Sequence, residues 1–261
     1  MKNNNHFFMP YTGNKRNEVD ELINKIDFKE IKTVYEPFCG SSAYSFHIWL
    51  KYGNKFDYHL NDNNKLLIDF YHLFKNNTLE EINKELKEIK NKTTTKEDWD
   101  HYYKTTEDTV IKNLFFWKFS GMRRIGMFPL NKPFSGIFKA SSLQLKFLEF
   151  IKSPNVYITN NDWLVSFNHG KNEPSSLFIF DPPYINCDNS FYVEKTLNVY
   201  QYFYDYRLTD YHSQIYFILE NMWIVRMLFS HYRMYEPYKK KYEYSRKNTE
   251  HIIISNCCCF L

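Results

Sequence analysis

The chain has no run of about 18 uncharged apolar residues, the length a bilayer-spanning helix needs. Its first residues, MKNNNH, are polar where a secretory leader would be apolar. The expectation is a soluble intracellular protein with no membrane partner. Cysteine is scarce and odd in number, five in all, with three adjacent at Cys257, Cys258 and Cys259. That spacing suits neither a zinc tetrad nor a disulfide framework, so no metal is expected and the three are read as reduced thiols in a strand. The last four residues imitate a prenylation signal only loosely, because Cys259 is not aliphatic and Phe260 fits poorly. Glycine is sparse too, 7 residues in 261, against 20% aromatics and abundant Lys and Asn. An A- and T-rich genome would impose the same bias, so bulk composition says little about fold. The net charge of +4 permits a nucleic-acid partner without establishing one. No internal repeat or low-complexity tract is present.

Hydrophobic spacing predicts a helix over 19–26, a strand over 33–38 ending at Cys39 and Gly40, a helix over 43–50, and a strand over 56–60 closing on Asn61 and Asp62. That order opens a doubly wound sheet. From Leu66 the chain turns helical and charged, with Leu79, Ile82, Leu86 and Ile89 on one face of a helix over 79–90, a break at 93–95 and a second helix over 110–119. A loop over 121–136 follows, punctuated by Gly126, Pro129, Pro133 and Gly136. Strands are predicted over 156–159 and 177–180, a helix over 211–221, a strand over 223–229 and a closing strand over 250–256. The fold class is therefore α/β, a doubly wound Rossmann-like sheet carried by 1–70 and 155–261, with an inserted helical lobe over 71–154.

In open α/β sheets ligands bind beyond the carboxyl ends of the strands. Here those ends are Glu36-Pro37-Phe38-Cys39-Gly40, then Asn61-Asp62, Asn160-Asn161-Asp162 and Asp181-Pro182-Pro183-Tyr184. A glycine after the first strand lets the backbone approach a cofactor, though such a turn is more often only a turn. Asp62 sits where a carboxylate can hold ribose hydroxyls, and equally where it can cap a following helix. The sharpest signal is the tetrapeptide. Its two prolines remove two backbone donors and leave carbonyls as acceptors beside the Asp181 carboxylate. An exocyclic amino group has its lone pair conjugated into a base ring, and accepting hydrogen bonds from its two N–H bonds frees that lone pair for attack. Tyr184 offers a flat face for a base that has left the duplex. Lys239, Lys240 and Lys241, interleaved with tyrosines, are read as a phosphate-contacting arm or a solvated face.

These segments, in this order, resemble those of the Dam-type DNA adenine-N6 methyltransferases of the alpha group, almost end to end. The resemblance implies S-adenosyl-L-methionine as cofactor and double-stranded DNA as substrate, and it points to a GATC-like site. It implies that Tyr11 and Lys15, from Tyr11-Thr12-Gly13-Asn14-Lys15, line the cofactor pocket with Glu36, Phe38, Gly40, Asp62, Asp162 and Asp181. Asp181, Pro182, Pro183 and Tyr184 would be the catalytic tetrapeptide. The segment from Gly121-Met122-Arg123-Arg124 to Asn131-Lys132-Pro133-Phe134 resembles the family's target-recognition element. Arg124, or Arg123 one place earlier, would then read guanine through a bidentate fork. The alternative for both arginines is contact with phosphates. Ser41 and Ser42 stand where the family has a second glycine after Gly40, and the chain is short between Phe229 and Tyr242. A catalytically weak relative acting as a DNA-binding or assembly protein, or an RNA base methyltransferase, are the competing functions; a nicotinamide enzyme has no use for the tetrapeptide.

Overall fold

The structure, a computed structural model, describes residues 5–9, 15, 18–120, 128, 138–184, 200–202, 211–241 and 248–256. Tyr11, Arg123, Arg124, Asn131, Lys132 and Cys257 to Cys259 lie outside the described residues, as does nearly all of the expected loop over 121–136. Among the described residues the first elements are α1 (Val19–Ile23), β1 (Thr33–Glu36), α2 (Ala43–Tyr52) and β2 (Asp57–Asn61). Five helices follow: α3 (Lys65–Asn76), α4 (Leu79–Asn91), α5 (Lys96–Thr105), α6 (Val110–Ser120) and α7 (Ser142–Lys152). Then come β3 (Val156–Thr159), α8 (Trp163–Gly170), β4 (Ser176–Phe180), β5 (Gln214–Glu220) and α9 (Trp223–Leu228). The last strands are β6 (Arg233–Met234), β7 (Tyr238–Lys241) and β8 (Asn248–Ser255). The chain divides into two compact units, one of Met1–Asn14 with Lys65–Pro154, the other of Lys15–Asn64 with Asn155–Leu261.

The first unit is helical. Three of its helices begin with reciprocal caps: Thr78 with Glu81 on α4, Thr95 with Asp98 on α5, and Ser141 with Gln144 on α7. In each, the cap side chain accepts the N–H three residues on, and that residue's side chain accepts the cap N–H, so two otherwise orphaned donors are satisfied. The α4 stripe of Ile82, Leu86 and Ile89 is buried, as its spacing predicts. The core is aromatic, with Phe70 and Trp117 centroids 4.7 Å apart and Trp99 edge-on to Phe116 at 4.6 Å. Helix α5 escapes hydrophobic spacing because Trp99 is its one fully buried side chain. Within this unit Lys118 lies 3.8 Å from the Phe138 ring centroid, and burial pushes its ammonium down to about 8.

The second unit is the sheet, in the order β3-β2-β1-β4-β5-β8-β6, with β7 also paired to β8. Strands β1 to β5 run parallel and β8 returns antiparallel beside β5. From β1 the chain winds outward through β2 and β3, then crosses back to β4 and β5. The order therefore reverses between β1 and β4, where a doubly wound sheet opens its ligand crevice.

Two expected elements exchange type. The segment predicted as a helix over 211–221 is strand β5, and the strand predicted over 223–229 is helix α9. Strand β5 reads QIYFILE and buries the five residues between Gln214 and Glu220. A strand buried on both faces loses its alternation and cannot be told from a helix by spacing. Helix α9 buries Val225 while Trp223 is 74% and Met227 57% exposed, so its apolar content is on the wrong face to reveal a helical stripe. The expected helix over 19–26 stops at Ile23, and the expected strand over 33–38 stops at Glu36, which leaves Phe38 in the turn. The lysine run of 239–241 is not a free arm but part of β7, with Lys239 opposite Glu250.

Candidate functional site

The ends of β1, β2, β3 and β4 come out on one edge of the sheet, and the expected site residues of this unit gather there. After β1 the chain turns through Gly40 at φ +49° and Ser42 at φ +52°. Glycine takes that left-handed backbone without strain, whereas Ser42 carries a cost of about 1–2 kcal/mol. The turn that a second glycine would favour is thus kept with serine in its place. It is pinned by the Cys39 N–H donating to Asn61 O at 2.8 Å and the Ser42 N–H donating to Cys39 O at 2.6 Å.

Glu36, 2% exposed, accepts the Ser45 N–H at 3.1 Å and so caps the first turn of α2 from the strand end. Burial pushes its carboxyl up to about 8, against the pull of the Ser45 hydrogen bonds. Asp62 uses both oxygens, accepting the Gly40 N–H at 3.0 Å and the Asn64 N–H at 2.9 Å. It therefore ties the first turn to the second strand end, and burial raises its carboxyl in spite of those bonds. Asp162 is exposed and caps α8 by accepting the Leu164 N–H at 2.7 Å. Phe38 stacks toward Trp163 with centroids 6.1 Å apart.

Asn61 closes β2 beside Asp62, and it organises the edge. Its amide donates to Pro37 O at 3.1 Å and Asn161 O at 2.9 Å, and its oxygen accepts from the Thr159 hydroxyl at 2.9 Å and the Asn161 N–H at 3.0 Å.

At the end of β4, Asp181 is held by two donors, the Lys15 ammonium and the Tyr184 hydroxyl, the latter at 3.0 Å. Lys15 also donates to the Tyr184 oxygen and sits 4.7 Å from the centroid of that ring. Tyr184 is 7% exposed, so the face expected to stack on a base is covered in this state, and its hydroxyl belongs to a polar network. Beyond it lies His251 of β8, whose Nδ1 is 3.4 Å from the Tyr184 hydroxyl and 2.9 Å from Glu18 Oε2. Glu18 also accepts the Tyr238 hydroxyl of β7 at 3.1 Å. Neither Glu18 nor Tyr238 carries a local motif, and they reach the site only through chain topology. The Tyr44 hydroxyl, buried without a hydrogen-bond partner among the described residues, is pushed well up by burial and then by Asp181, Tyr238, Glu18 and Glu36.

Three carboxyl groups, Glu18, Glu36 and Asp181, thus act on one buried hydroxyl, with Lys15 the neighbouring lysine. A cationic ligand such as a sulfonium amino acid suits an edge that carries these acids, and the orphaned Tyr44 hydroxyl gives it a polar partner. The residues present therefore fit S-adenosylmethionine. Among the described residues no group of three or more His, Cys, Asp or Glu is placed to hold a metal ion. No curated protein matches the chain. A family model described as D12 class N6 adenine-specific DNA methyltransferase matches residues 11–201.

Proposed function

The chain belongs to the D12 class N6 adenine-specific DNA methyltransferase family, and we propose that it methylates a specific adenine in duplex DNA after drawing that base out of the stack. It is an enzyme of DNA adenine methylation, and its family generally uses S-adenosylmethionine. The observation that carries the finer proposal is that Glu36 and Asp181 stand at the carboxyl ends of adjacent strands, astride the reversal of strand order.

When bound, S-adenosylmethionine supplies an electrophilic methyl group. Asp62 would hold the ribose hydroxyls, Glu36 the amino group, and Tyr11, Lys15, Phe38, Gly40 and Asp162 the remainder of the cofactor surface. Asp181 and the Pro182 carbonyl accept the two N–H bonds of the adenine amino group. That localises the nitrogen lone pair and stabilises the positive charge that develops there. Pro182 and Pro183 bring no N–H to compete for those acceptors. Tyr184 holds the extruded base by its face, which requires the ring, 7% exposed here, to be uncovered. Residues 71–154 supply target recognition, with Arg124 reading guanine of a GATC-like site and Arg123, Asn131 and Lys132 contacting the duplex. The protein works inside the cell, where it has access to DNA.

Asp181→Ala should lower single-turnover methylation by orders of magnitude while duplex binding, set mainly by phosphate contacts, survives. Near-normal transfer by this variant would remove the proposed role. Labelled-methyl transfer in the presence of competing DNA and RNA tests the substrate, and sequencing methylated adenines in cells expressing the chain tests the site. Methylation without a shared guanine-containing context would reject the Arg124 assignment.

A further inference from the structure

We infer that Glu18 is a positioning residue of the methyl-transfer site, acting through His251 and Tyr184 to keep the Tyr184 proton on Asp181. The proposal depends on Asp181 activating the amino nitrogen, as set out above. It starts from the imidazole of His251, which is 0% exposed. Its Nδ1 lies 2.9 Å from Glu18 Oε2, while its Nε2 is buried with no hydrogen-bond partner among the described residues.

Those two surroundings decide where the ring proton sits. A proton on Nδ1 is donated to a carboxylate, a charge-assisted bond stronger than a neutral one. With the proton on Nε2 alone, a buried donor would be orphaned and the Nδ1 lone pair would face the carboxylate oxygen at 2.9 Å, two penalties at once. In either charge state of the ring, Nδ1 therefore carries a proton. Tyr238, opposite His251 on the neighbouring strand, donates to the same Glu18 oxygen at 3.1 Å and keeps the carboxylate turned toward the ring.

The consequence falls on Tyr184. Its hydroxyl lies 3.4 Å from His251 Nδ1 and 3.0 Å from Asp181 Oδ1, and it has one proton to give. A protonated Nδ1 cannot accept it, so the proton goes to Asp181. With Lys15 bonded to both the Tyr184 oxygen and Asp181, the carboxylate is then fixed by two donors on the Oδ1 side. If the Glu18 charge is removed, Nδ1 can become an acceptor, the Tyr184 hydroxyl can turn to it, and Asp181 loses one of the bonds that set its orientation. The same logic applies wherever a buried acid fixes the tautomer of a histidine that touches a reacting group.

The first test uses the unmodified protein. Proton–nitrogen correlation spectra of the histidine rings, with the His251 signal assigned by its loss in His251→Gln, should show a proton on Nδ1; a ring protonated only on Nε2 overturns the proposal. The second test uses Glu18→Gln, checked for an unchanged melting transition. Its kcat at saturating S-adenosylmethionine and duplex should fall about 10–100-fold, the usual cost of losing an orienting acid, with both KM values unchanged. Because the effect passes through the tyrosine hydroxyl, Glu18→Gln with Tyr184→Phe should be no slower than Tyr184→Phe alone. Unchanged kcat in Glu18→Gln, or losses that multiply in the double variant, overturns it. Asp181→Ala separates the two levels. If it is inactive while Glu18→Gln is normal, the positioning role fails and the proposed function stands; if it is active, both fail.

Discussion

Two carboxylates do the same job in the two units and pay opposite electrostatic consequences. Glu81, on the helical unit, accepts the Thr78 N–H at 2.8 Å at the start of α4 and stays in solvent, where its hydrogen bonds to Thr78 hold its carboxyl below the usual range. Glu36, on the sheet unit, accepts the Ser45 N–H at the start of α2, yet burial outweighs that bond and pushes its carboxyl up to about 8. Capping a helix does not require a buried acid. The helical unit keeps its capping charges outside an aromatic core, and the sheet edge draws Glu36 and Asp62 inward, where burial disfavours their charged forms. Local rules broken at one edge of an otherwise consistent fold agree with the proposed use of that edge for binding.

The contrast breaks most visibly at Glu36. Its folded pKa lies above the unfolded value, so the stability tied to its neutral form is fully present below the ordinary carboxyl range and is lost as pH rises through about 8. Cofactor-free protein should therefore lose on the order of a few kcal/mol relative to Glu36→Gln across that window, with the difference levelling above it. Urea midpoints measured for both proteins along a pH series would show it, and parallel curves would mean the carboxylate is better solvated than its surroundings suggest.

Asp62 should give a smaller effect of a different kind. Removing it frees the Gly40 and Asn64 N–H groups as well as any bond to the cofactor, so Asp62→Ala should weaken S-adenosylmethionine binding by about 1.5–3 kcal/mol. Calorimetric affinity equal to wild type would leave Asp62 as a loop fastener only. The smallest change belongs to the helical unit: Thr95→Ala removes a solvent-exposed cap and should cost roughly 1 kcal/mol of stability without altering cofactor affinity. A loss of cofactor affinity there would erase the division of labour between the units.

What the sequence shows of this protein follows the range of the interactions involved. Strands β1 and β2 end on Glu36 and Asn61, directly before the turn residues and Asp62, so the α/β order and the edge that carries Glu36, Asp62 and Asp181 are legible from local pattern. Strand β5 and helix α9 are not, because burial on both faces and an exposed tryptophan erase the two periods that would separate them. Helices α5 and α7 do have a local mark in Thr95-x-x-Asp98 and Ser141-x-x-Gln144, which is stronger than their apolar spacing. Tyr238 and His251 face each other on consecutive strands, but Glu18 lies 220 residues from Tyr238, and nothing near it in the chain announces them. Tyr184 is recognisable as an aromatic after two prolines, but its inward hydroxyl depends on Lys15 and His251, which lie far from it in sequence.

Asn61 spends both donors and both lone pairs on the turns after β1 and β3. The proposed cofactor edge is consequently assembled before anything occupies it. Association then forfeits little backbone freedom at these turns, and more of the contact free energy is expressed as affinity. Asn61→Ala would convert that rigid rim into a segment that must be ordered on each encounter, so the loss should appear mainly as a less favourable entropy of binding and a slower association, even though Asn61 itself needs no contact with the ligand.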